Sequence, residues 1–171
     1  MAAIVHNTGT NYSLYYNVLN YFKTIMTNHP SIIAVGQGDA GELDMDQYPA
    51  YPIGNVNIIE ARWGDTVSTY QIELTIADKV KNKNNESEGV TNAQTLPFFK
   101  VDDVVDIHAN TLSILNDLTS YTQRSVEGFD IDGEILCTPF SDRFNNGLAG
   151  WVATFNLVTH NDRNRCLFEL M

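Results

Sequence analysis

Apolar positions recur at helical spacing in two stretches of this chain and alternate with polar ones in several others. Leu14, Val18, Leu19, Phe22, Ile25 and Met26 return every three or four residues, which predicts a helix over residues 13–28. Asn11 or Ser13 can cap its start, and Pro30 forbids its continuation past His29. Residues 32–35 read as a short strand ended by Gly36, and residues 38–52 as an irregular loop rich in Gly, Asp and Tyr. A strand over 56–62 then meets the turn Trp63-Gly64-Asp65. The clearest strand follows over 66–78, with Tyr70, Ile72, Leu74 and Ile76 on one face and Thr69, Gln71, Glu73 and Thr75 on the other.

Residues 79–94 are polar and lack an apolar period, so they read as a long loop or an arm reaching a neighbour, with Lys79, Lys81, Lys83, Glu86 and Glu88 as its charged groups. A second helix is predicted over 101–124, on a stripe of Val101, Val104, Val105, His108, Leu112, Leu115 and Leu118, with Asp102 and Asp103 at its positive end. Residues 129–137 alternate again, placing Phe129, Ile131, Ile135 and Cys137 on one face. Asn146-Gly147 turns the chain into a last strand over 151–159. The order is α-β-β-β-α-β-β, with no repeat and no domain break. It predicts an α+β fold in which two helices pack on one face of a mostly antiparallel sheet, with Leu74, Ile76, Leu112, Leu115, Trp151 and Phe155 in the core.

Composition adds limits. A chain of 171 residues with 43% hydrophobic content fits one domain. It has no apolar run near the roughly 20 residues that cross a bilayer, so no membrane partner is expected. The start, Met1-Ala-Ala-Ile-Val-His-Asn, lacks the cationic region of a secretory signal, and synthesis in the cytosol is expected. Ten basic residues against 21 acidic give −11, distributed as −5 over residues 1–80, +1 over 81–100 and −7 over 101–171. Phosphate backbones are repelled by such a chain, which argues against a sequence-reading nucleic-acid binder. The same charge also serves solubility.

The motifs of catalysis and metal binding are missing. Asp130, Asp132 and Glu134 fail as a calcium loop, because the sixth position is Ile135 and the twelfth Ser141. In a strand they alternate onto one face, opposite the buried one. Asp39, Glu42, Asp44 and Asp46 read as a solvated turn. There is no G-x-S-x-G, and neither Gly36-Gln-Gly38 nor Gly147-Leu-Ala-Gly150 is a phosphate loop. His108 on an apolar helix face reads as a hydrogen-bonded core histidine. Cys137 and Cys166 read as core thiols, so no cofactor, metal or catalytic residue is expected.

The element order resembles the tail-terminator, tail-completion or neck-ring proteins of tailed phages: a helix, a hairpin ending in Asp78, a variable polar loop, a long helix and a closing hairpin. The phrase Asp142-Arg-Phe-Asn-Asn-Gly-Leu-Ala-Gly-Trp-Val-Ala-Thr-Phe-Asn-Leu and the ending Thr159-His-Asn-Asp-Arg-Asn-Arg-Cys are similar to the ends of small neck and tail proteins. The resemblance spans most of residues 1–171 as one domain. It implies a non-enzymatic virion subunit, made in the bacterial host cytoplasm and assembled with identical copies into a ring of six or twelve. Such a ring sits at the portal–tail junction and contacts other neck, portal or tail proteins. DNA passes through the lumen without specific binding, and Asp130, Asp132 and Glu134 are the candidate lumen-facing residues. A monomeric ligand-binding or enzymatic α+β domain is the alternative, and an adaptor binding one bacterial protein through the 79–94 arm is a third reading.

Overall fold

The computed structural model describes residues 12–39, 50–80, 102–124, 128–143 and 147–160. Its elements are α1 (Tyr12–Thr27), β1 (Ala34–Gln37), β2 (Ile53–Trp63), β3 (Val67–Lys79), α2 (Asp102–Arg124), β4 (Phe129–Arg143) and β5 (Leu148–His160). The strands form one sheet in the order β1-β2-β3-β5-β4; β1 runs parallel to β2 and every other pairing is antiparallel. The architecture is α+β, with both helices on one face of the sheet.

That face is set by β3. Tyr70, Ile72, Leu74 and Ile76 are fully buried, as their alternation predicts. Their ladder partners Val56 and Ile58 on β2 and Ala153, Phe155 and Leu157 on β5 share the face. Onto it α1 lays Val18, Leu19, Phe22 and Met26, and α2 lays Ile114, Leu115 and Leu118. Helix α1 comes down close enough that a Cβ on Gly54 would stand 2.8 Å from Met26 Sδ. A side chain there must push the helix off the sheet or displace the thioether, so the position suits glycine. The helix ends where expected, with the His29 amide donating to Met26 O at 3.1 Å just before Pro30.

Several boundaries shift. Strand β1 runs through Gly36 to Gln37, and Gly38, at φ 96°, ends it. Strand β2 begins at Ile53, three residues before the alternation becomes legible, because its first residues pair with β1 as well as β3. Lys79 is the last residue of β3, paired with Leu148, and not the first of a loop. Strand β4 continues past Cys137 to Arg143, carried by pairing with β5 up to Leu148. The Gly64 amide donates to Val67 O at 2.8 Å, closing the turn expected around Trp63-Gly64-Asp65.

The buried face of α2 is the main correction. Leu115 is 1% exposed, but Leu112 is 37% and Val105 50% exposed, so neither belongs to the core that apolar spacing predicted. Trp151, also expected in the core, is only partly buried. Ile107, Thr111, Ile114, Leu115, Leu118, Thr119 and Thr122 face the sheet instead. Three threonines fit there because each hydroxyl donates to the carbonyl four residues back: Thr111 to Ile107 O at 2.6 Å, Thr119 to Leu115 O at 2.8 Å and Thr122 to Leu118 O at 2.9 Å. A back-bonded threonine presents its methyl to the core and buries no unpaired hydroxyl. Leu115→Ala should therefore lower the unfolding free energy by about 2–5 kcal/mol, and Leu112→Ala by less than about 1 kcal/mol. Urea denaturation of the isolated subunit measures both. The reverse ranking would restore the face predicted from apolar spacing.

Candidate functional site

Opposite the helices lies a sheet face with a different chemistry. Cross-strand partners project to the same side, so the ladder fixes its rows. One row runs Arg62, Thr69, Val158 and Asp130; the next runs Glu60, Gln71, Asn156 and Asp132; a third runs Asn57, Glu73, Thr154 and Leu136. Asp130 and Asp132 are exposed, and Glu73 is half-buried among its neighbours. Arg62 is the face's one basic residue in these rows. Its guanidinium grips Glu60 through two hydrogen bonds, Nε to Oε1 at 2.8 Å and a terminal nitrogen to Oε2 at 3.1 Å. That fork holds the Glu60 carboxyl below its ordinary range. With Arg62 and Glu60 compensating each other, Glu73, Asp130 and Asp132 leave these rows negative.

Glu134 stands apart from the other two β4 acids. The β4–β5 register shifts between Asp132 and Leu136, and Gly133 within the shift has φ 82°. Glu134 is exposed but has no ladder partner, so regular alternation does not carry it onto the row of Asp130 and Asp132. The expected stripe of three thus consists of two register-fixed carboxylates and one on a bulge. Of the expected arm, Lys79 is exposed at the end of β3, while Lys81, Lys83, Glu86 and Glu88 lie outside the described residues. Asp39 is exposed, and Glu42, Asp44 and Asp46 also lie outside them.

A second feature was invisible as a motif. Between α2 and the edge strand β4 runs a groove of about 560 Å³, lined by Ala109, Leu112, Ser113, Asn116, Ile135 and Cys137 among others. Leu112, 37% exposed, sits at its mouth, whereas Leu136 projects from the same edge strand to the helix-free face. The strand carries two devices that discourage indiscriminate edge pairing: the bulge after Asp132 and Pro139, which has no amide hydrogen. His108 pins the helix beside it. Its Nε2 lies 2.9 Å from Phe140 O, and Trp151 Nε1 donates to the His108 carbonyl at 2.9 Å. Since a carbonyl only accepts, the neutral imidazole carries its proton on Nε2. His108 is thereby the hydrogen-bonded packing residue that its apolar helix face predicts.

Among the described residues no three His, Cys, Asp or Glu side chains cluster in a way that could hold a metal ion, and no helix is long and apolar enough to cross a membrane. Of the two cysteines expected in the core, Cys137 is only partly buried, in the groove, and Cys166 lies outside the described residues. No protein-family model matches the chain, and no curated protein matches it.

Burial pushes the Cys137 thiol above its ordinary value. The folded thiol then keeps its proton at a pH where the unfolded one has lost it. This contribution to stability is complete below the ordinary thiol value and is lost as pH rises through the folded one. In a Cys166→Ser background, iodoacetamide should alkylate Cys137 with a pH profile displaced to the alkaline side of a small model thiol. A profile at or below that of the model thiol would place Cys137 in water or beside a cation.

Proposed function

We propose that this chain is a non-enzymatic structural subunit of a tailed-phage neck or tail. In this reading it assembles with identical copies into a ring at the portal–tail junction, with the helix-free sheet face turned toward the DNA channel. The observation that carries the reading is the placement of Asp130, Asp132 and Glu73 on the sheet face that neither described helix covers, where the single arginine of those rows is held by Glu60. A wall of this kind, repeated once per subunit, repels phosphates over about a Debye length, roughly 8 Å at physiological salt. DNA passes such a wall without being gripped, because the one cationic side chain in those rows, Arg62, is already paired with Glu60.

The groove between α2 and β4 gives the same reading its contacts. Leu112 is an exposed apolar side chain lining this groove beside Ile135 and Cys137, which suits burial against the next copy in the ring. The order of elements supports it as well, since helix, hairpin, long helix and closing hairpin follow one another as the neck-ring resemblance implies. Other neck, portal or tail proteins are the expected further partners, and the virion the expected location.

Two kinds of variant separate contact from channel. Leu112→Asp should leave the subunit folded, with unfolding free energy changed by less than about 1 kcal/mol, and should abolish assembly in sedimentation velocity. Asp130→Lys with Asp132→Lys should leave assembly intact and slow DNA ejection from particles, with added salt restoring the rate. Ejection at the normal rate from intact particles would assign the acidic rows to the outer surface. A mass of one subunit at every concentration, with the other neck proteins present, would favour a monomeric domain.

A further inference from the structure

A pocket of about 400 Å³ lies where the end of α1 meets the last turns of α2, and it shares no lining residue with the α2–β4 groove. Ile25, Pro30 and Leu118 form its apolar part, and Asn28, His29, Asp117 and Tyr121 its polar part. Asp117 and Tyr121 are one helical turn apart and so share a face of α2. Both are open to solvent: the Asp117 side chain is 61% exposed and Tyr121 56%. His29, by contrast, is 13% exposed and held in place. Its Nδ1 accepts the Ser31 amide at 3.2 Å, so the neutral ring keeps its proton on Nε2, 3.6 Å from Asp117 Oδ2.

The electrostatics of this corner are one-sided. The C-terminal end of a helix carries partial negative charge on its last carbonyls, and α1 has no basic residue in its last turn to offset it. Asp117 adds a full negative charge beside that end. The ion partner described for it is His29, which is charged only when protonated, and no ion pair joins it to Arg124 at the end of α2. A helix C-terminus, a solvent-facing carboxylate and a tyrosine side chain therefore converge on an apolar-floored pocket.

We infer that this pocket is a docking site for an arginine side chain of a partner polypeptide. A guanidinium can pair with Asp117 through two hydrogen bonds while its plane stacks on Tyr121, and its methylene stem covers Ile25, Pro30 and Leu118. A lysine ammonium reproduces the charge but neither the fork nor the stacking. The inference stands apart from the ring reading, since it uses none of the residues that carry it.

The test is a titration of ¹⁵N-labelled protein with the blocked tripeptide acetyl-Gly-Arg-Gly-amide. Its lysine and citrulline counterparts and free arginine serve as the other arms. The arginine tripeptide should shift the amide resonances of Ile25, His29, Asp117 and Tyr121 saturably. Asp117→Asn should weaken that binding at least about tenfold, and Tyr121→Ala about threefold, with the rest of the spectrum unchanged. Equal binding by the citrulline tripeptide, unchanged binding in Asp117→Asn, or no saturable shift at these residues would overturn the assignment. Tighter binding of free arginine than of the blocked tripeptide would replace a protein partner with a small-molecule ligand.

Discussion

Everything in this molecule hangs from one buried layer, the even-numbered side chains of β3 from Tyr70 to Ile76. A strand side chain can face only one of two ways, so four consecutive apolar residues at alternate positions commit one side of the sheet to the core. Both helices must then dock on that side, because each has a single apolar face to bury. Val18 and Phe22 of α1 and Leu115 and Leu118 of α2 meet the same layer. Among the described residues, the opposite side is left without a helix. Its chemistry is free to be set by something other than packing, and Glu73, Asp130 and Asp132 occupy it.

The alternation in β3 and the stripe of α1 were legible because apolar and polar residues there obey a single period. Helix α2 was legible as a helix but misread in rotation. Val105 and Leu112 look like core in the sequence, whereas Thr111, Thr119 and Thr122 look like surface, and the fold reverses them. The cause is local chemistry: a threonine hydroxyl that bonds its own helix behaves as a methyl-bearing residue, and hydropathy has no means of recording that. The leucine displaced by this rotation is the one that stands at the mouth of the α2–β4 groove. An error in the predicted core thus marks an exposed apolar surface.

The acidic stripe was partly legible for a similar reason. Asp130 and Asp132 keep the alternation and share a face, as period two requires. Glu134 lies beyond Gly133, whose positive φ opens a bulge, and there counting by twos stops fixing orientation. The Arg62–Glu60 fork could not be read at all, although the two residues are neighbours in a strand. Pairing of that kind decides whether a face is neutral or negative, and it depends on rotamers. Composition gave the total of −11; only the fold divides it between the helix-free face, the α1–α2 corner and the rest of the surface.

The proposal that joins these pieces is one of orientation: in the proposed ring, the one-faced core would turn the helices outward and the acidic sheet face toward the axis. A three-dimensional image of the assembled particle by electron cryomicroscopy addresses it directly. The account predicts a closed ring of identical subunits in which Asp130, Asp132 and Glu73 border the central channel and the groove beside Leu112 is filled by the adjacent copy. A ring with α1 and α2 lining the channel and the β2–β4 face turned to solvent would contradict it.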